Sequence, residues 1–115
     1  MTIVSYLFFN SSKEEMRRQL KQSQNNGGIG ITISSHYMKY FNSQTKSVKL
    51  EFDDGTHGIA TVKKKSWHDC HHLIDESIGT WSRKNGLWEK KLTIRSVPVR
   101  LEVVKPFEIF RVLKT

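Results

Sequence analysis

Two stretches of this chain combine cations, amides and glycine in a way that suits contact with a nucleic acid. The first runs Asn25-Asn26-Gly27-Gly28-Ile29-Gly30-Ile31-Thr32-Ile33 and is entered from Lys13, Arg17, Arg18 and Lys21. Glycine lets a backbone approach a ligand closely, and an asparagine amide can make a bidentate contact to adenine. The second is Lys63-Lys64-Lys65-Ser66-Trp67-His68. Its ammonium groups suit phosphates, and Ser66 and His68 are candidates for base contacts. Each stretch also has a plainer reading. Asn and Gly are the usual residues of turns, and lysine runs often only solvate the end of a strand. Trp67 fits core packing better than a groove-facing role.

A rival chemistry lies in Trp67-His68-Asp69-Cys70-His71-His72. As a strand this run puts His68, Cys70 and His72 on one face, and as a helix it aligns His68 with His72. Zinc accepts such donors, but three near neighbours rarely complete a site alone. The other histidines, His36 and His57, belong to no matching motif. A barrel strand carrying a buried cysteine explains the run more simply, so no metal or other cofactor is expected. A nuclease would need a carboxylate cluster or an activated histidine. Asp53 and Asp54 read better as turn residues, Asp75-Glu76 as a helix start, and Cys70 beside a histidine is too generic for a nucleophile. No catalysis is expected.

Composition narrows the partner. Nineteen Lys and Arg against eleven Asp and Glu give a formal charge of +8, and the pI is near 9.8. A domain this basic is expected to meet polyanions, nucleic acid first among them. No segment has the amphipathic cationic pattern of a membrane-surface helix, and no apolar run is long enough to span a bilayer. The 115 residues suit one domain. A single cysteine cannot form an internal disulfide, which points to a reducing intracellular compartment, the cytoplasm or nucleoid.

The elements that would position these residues follow from periodicity. Thr2 to Phe9 reads as a strand, being rich in β-branched and aromatic residues. Ser12-Lys13-Glu14-Glu15 fits a capping box opening a helix from Lys13 to about Ser23, with Met16 and Leu20 as its apolar stripe. On that helix Lys13, Arg17 and Lys21 share one face, for which simple solvation is the bland reading. Ile29, Ile31 and Ile33 alternate as a half-buried strand, and a short helix holding Tyr37, Met38, Tyr40 and Phe41 follows. Ser47 to Asp53 and His57 to Val62 form a hairpin about Asp53-Asp54-Gly55-Thr56. Cys70 to Ile74 is read as a strand, Ser77 to Asn85 as a helix ended by Gly86. Lys91 to Arg95, Pro98 to Val104 and Phe107 to Leu113 are read as closing strands. Roughly seven strands with short helices make the class mainly β, a closed or nearly closed antiparallel sheet.

In this order the elements resemble the B-three-type pseudobarrel DNA-binding domain. The likeness is to the effector domains of EcoRII-like restriction enzymes and the BfiI-type recognition domain more than to plant transcription factors. Gln24 to Ser34 looks like a shortened recognition arm and its strand, Lys49 to Gly55 like the central hairpin, and Val62 to Trp67 falls where a second arm lies. His72-Leu73-Ile74, Ile78 to Trp81, Gly86-Leu87 and Pro98 to Val103 continue the match. The resemblance implies a seven-stranded open pseudobarrel over residues 1–115 and a non-catalytic module for double-stranded DNA, in a restriction-like setting. Its first arm, Arg17 to Gly28, would offer cations with Asn25 and Asn26. Its second, Lys63 to His68, would hold phosphates from across the groove. The short first arm and the inserted helix depart from the family's pattern. A protein-interaction or inhibitor domain acting on a nucleic-acid enzyme, and less so a small metal-dependent nuclease, stand as alternatives. Oligomeric state is not legible.

Overall fold

Alternation of inward and outward side chains marks the strands. In Thr2–Phe9 (β1) Ile3, Ser5 and Leu7 are buried, while Thr2, Val4 and Tyr6 face out. The computed structural model describes residues 2–22, 27–41, 44–64 and 71–115. After β1 come α1 (Lys13–Leu20), β2 (Ile29–Ile33), a 3-10 helix (Ser35–Tyr40), β3 (Ser47–Phe52) and β4 (His57–Lys64). Then follow β5 (His71–Ile74), α2 (Glu76–Lys84), α3 (Leu87–Thr93), β6 (Pro98–Lys105) and β7 (Ile109–Lys114). Among the described residues, no helix is long and apolar enough to cross a membrane.

The seven strands close into a barrel in the order β1-β2-β5-β4-β3-β7-β6, with β6 returning to β1. An odd ring cannot alternate direction all the way round, so one neighbouring pair must run parallel. That pair is β3 and β7. The class is mainly β, as the periodicity implied, but the sheet closes where an open one was expected.

Antiparallel pairing sorts the connections between two ends. α1, the β3–β4 turn and the α2–α3 pair share one end, because Phe9 pairs with Ile29 and Gly30 with Ile74. The 3-10 helix, the β4–β5 connection and the β6–β7 turn share the other, where Ile33 pairs with His71 and Lys64 with His71. Aromatic side chains plug both. At the helical end Ile78, Trp81, Trp88 and Met16 are fully buried. There Trp81 packs 5.6 Å from Phe52 and donates its Nε1–H to Asp53 at 2.8 Å. At the opposite end Phe41 stacks on Phe110 with ring centres 4.9 Å apart.

Local signals explain the edges. Ser12 caps α1, its Oγ accepting from the Glu15 amide at 3.2 Å. Asp75 caps α2 in the same way through Ser77 N. In the hairpin turn Gly55 has φ +88° and Asp54 accepts from the Thr56 hydroxyl at 2.6 Å. That bond, then the one from the Thr56 amide, holds the Asp54 carboxyl below its usual range.

Three expectations need correcting. Lys91 to Arg95 is no strand: α3 runs to Thr93, because Trp88 and Leu92, four residues apart, turn one face onto α1 and the barrel end. β7 starts at Ile109, since Phe107 sits in the turn with φ +70° and donates its amide to Tyr40. α1 stops at Leu20 with Lys21 as its C-cap, whereas Ser23, the expected end, lies outside the described residues, as does Cys70.

Candidate nucleic-acid interface

Charge divides the barrel wall into two unlike halves. β3 and β6 carry the strand-borne carboxylates, Glu51 and Glu102, and Arg111 of β7 between them bridges the two at 3.6 and 3.8 Å. Lys49 approaches Glu51 at 3.9 Å, and Lys105 pairs with Glu108 beside the β6–β7 turn at 2.8 Å. β1, β2, β5 and β4 contain no Asp or Glu at all. Lysine, histidine, hydroxyl and aromatic side chains, together with the aliphatic Val4 and Ile59, occupy their outer face instead. One row across it runs Tyr6, Thr32, His72, Lys63, neighbours in register on four adjacent strands. Tyr6 is 47% exposed, and Lys63 is exposed as well.

The next row explains a glycine. Gly30 lies between Phe8 and Ile74, and the Phe8 ring crosses over it to meet His72 with ring centres 4.1 Å apart. A Cβ at Gly30 would overlap Phe8 Cε1 and sit 2.7 Å from the Leu73 carbonyl oxygen. Gly30→Ala should therefore destabilise the fold by about 1–3 kcal/mol, as overpacking does. Urea unfolding checks this, with loss of the Phe8–His72 contact in nuclear magnetic resonance spectra as a second readout.

At the helical end, α1 carries the first set of candidate cations. Arg17 and Lys21 are exposed, and none of the ion pairs among the described residues includes either. Arg18 differs. Its guanidinium grips the Glu15 carboxylate at 2.6 Å and holds that carboxyl below its usual range. Glu15→Gln should thus strengthen duplex binding several-fold at low salt, because it frees Arg18 and removes a repelling charge. A fluorescence-anisotropy titration measures the change.

The excursion from β1 to β2 is tied at its base, where the Asn10 amide donates to the Gly28 carbonyl at 2.6 Å. Gly28 has φ +88°, and a Cβ there would lie 3.0 Å from Met16 Sδ. Sequence reasoning missed the residue that seats α1. Arg83 of α2 donates to the carbonyls of Gln19, Leu20 and Gln22 at 3.0, 3.2 and 2.7 Å, closing the helix's C-terminal end. Its guanidinium also lies 4.7 Å from the Trp88 ring centre. Nothing local in Ser82-Arg83-Lys84 signals a partner some sixty residues upstream.

At the opposite end Lys63 and Lys64 close β4, paired with His72 and His71. Lys63 thus belongs to the wall as much as to an arm. Asn25, Asn26, Lys65, Ser66, Trp67, His68, Asp69 and Cys70 lie outside the described residues. Of the His68–Cys70–His72 donor set, His72 alone is described, and its ring faces Phe8. Among the described residues no group of three or more His, Cys, Asp or Glu could hold a metal ion.

The two cationic segments meet the wall at opposite ends of β2, one at Ile29 and the other beside Ile33. Four residue steps of strand separate them, about 13 Å. The major groove of B-form DNA is about 12 Å wide. No family model, curated protein or solved structure matches the chain.

Proposed function

We propose that the chain is a double-stranded DNA-binding module of the B-three-like pseudobarrel type, non-catalytic by itself. The observation that carries this reading is the carboxylate-free wall of β1, β2, β5 and β4, bounded by cations at both ends. Arg17, Arg18, Lys21, Lys63, Lys64 and Lys65 hold backbone phosphates on either side of the groove. Asn25 and Asn26 read an adenine edge, and Ser66 and His68 add base contacts from the second arm. Six phosphate contacts correspond to a slope of log K against log salt of about −5.

Competition tests the reading. A labelled duplex bound at low salt should be displaced by unlabelled duplex well before single strands or RNA of equal length. Equal displacement by all three, or no binding at low salt, removes the proposal. A second reading, a protein-interaction domain, draws on apolar side chains that flank β3 from β4, the β6–β7 turn and β7. Ile59, 59% exposed, and Phe107, 39% exposed, flank a shallow hollow of about 310 Å³ with Ile109. That reading expects duplex binding no tighter than by a lysine-rich control of equal charge.

A further inference from the structure

The β6–β7 turn holds an aromatic residue in a conformation that aromatic residues avoid. Phe107 has φ +70°, the one positive φ outside glycine among the described residues. A Cβ makes that region costly, so positions of this kind usually carry Gly, Asn or Asp. The Phe107 amide donates to the Tyr40 carbonyl at 3.0 Å, which fixes the backbone, yet the side chain stays exposed. Strain retained for a ring that is not buried points to a use at the surface. Phe107 and Ser47 line two adjoining hollows, of about 340 and 310 Å³. An outer row crosses the second: Ile59, Lys49, Ile109 and Lys105 are neighbours in register on β4, β3, β7 and β6. Contiguous apolar surface of this kind marks a contact with another molecule.

The charges say what covers it. A chain of net charge +8 repels its own copies wherever its cations stand alone. On the barrel wall only the side formed by β3, β7 and β6 mixes the signs, setting Glu51, Glu102 and Glu108 among Lys49, Lys105 and Arg111. Lys49 and Glu108 line the same hollow, and the Lys49 amide donates to the Glu108 carbonyl at 2.8 Å. A twofold axis passing between their side chains sets the lysine of each copy against the glutamate of the other. We propose that two copies of this chain associate through this face. Phe107 of each enters the hollow beside Ile59 and Ile109 of the other, and Lys49 meets the partner's Glu108. β1 and β2 stand opposite β3 in the ring of seven, so the contact leaves them open. The pairing does not rest on the DNA reading.

Sedimentation equilibrium of the unaltered protein, from about 1 µM to about 1 mM, should follow a reversible monomer–dimer curve. Phe107→Asn installs a residue that accepts a positive φ. It should weaken association by about 30-fold or more, as loss of a central aromatic anchor does, while the monomer stays at least as stable in urea. A purely structural role for the ring predicts the opposite, a less stable monomer with association unchanged. Lys49→Glu and Glu108→Lys should each be monomeric alone, because like charges then meet across the axis. Mixed in equal amounts they should dimerise, since each contact regains opposite charges. A chain monomeric throughout that range overturns the proposal and leaves the face to a different protein. A dimer untouched by Phe107→Asn, or charge variants that stay apart when mixed, puts the contact elsewhere and overturns it as well.

Discussion

Replacing Lys63, Lys64 and Lys65 with alanine is expected to weaken duplex binding by about 500-fold at 0.1 M salt, because each neutralised phosphate releases about 0.9 counterion. The observed binding constant then falls as the 0.9 power of salt for every contact. Three contacts contribute about 2.7 to the slope, and at 0.1 M this amounts to between two and three orders of magnitude. Of the three, Lys63 is the one whose side chain is described. It is exposed on β4, in register with His72, and belongs to none of the ion pairs among the described residues. Charge alone must be separated from position. Lys49, Arg100 and Lys114 lie on β3, β6 and β7, the side of the barrel where Glu51 and Glu102 sit on β3 and β6. Substituting those three with alanine removes the same net charge and should cost far less affinity. Equal losses from the two triple variants would reduce the interface to a general attraction between polyelectrolytes.

Trp88→Ala should cost about 3–5 kcal/mol of stability, the usual range for truncating a buried tryptophan. Trp88 is fully buried, and its indole sits at the junction of all three helices. Its Nε1–H satisfies the Met16 carbonyl of α1 while its ring face meets Arg83 of α2. Arg83 in turn closes the C-terminal carbonyls of α1. Loss of the indole therefore removes core volume and unseats α1. Trp88→Phe retains most of the apolar burial and gives up one hydrogen bond, a cost of about 1–2 kcal/mol including repacking. Urea unfolding with a constant m-value measures both variants. Amide exchange along Lys13–Leu20 should rise in each, more in Trp88→Ala. An alanine variant within 1 kcal/mol of the parent would refute the junction.

Much of the barrel is legible from nearest neighbours in the chain. β1 follows from its run of β-branched and aromatic residues, and β2 and β3 from period-two alternation at Ile29-Ile31-Ile33 and Val48-Leu50-Phe52. Asp54-Gly55 announces the turn after β3, and Ser12 with Glu15 announces α1. α3 escaped notice because its stripe offers little more than Trp88 and Leu92, while Thr93 and Ile94 favour extended chain. Of the candidate site, the cations and their sequence order could be read directly. The partnership of Arg18 with Glu15 was within reach too, at a spacing of three on a helix. Arg83's grip on α1 was not, since it depends on how α2 and α3 pack against α1.

By itself, then, the sequence determined a basic, mainly β domain with two cationic segments and one secure hairpin. These properties depend on composition and on spacings of a few residues, which local chain geometry translates directly into structure. Tertiary structure alone decided that β5 inserts between β2 and β4 and that the ring closes through a parallel β3–β7 pair. Only that pairing sets β1, β2, β5 and β4, none of which carries a carboxylate, side by side as one wall with the two cationic segments at its opposite ends. The reason is physical. Strand adjacency is chosen by burying the whole core at once, so no local stretch carries it.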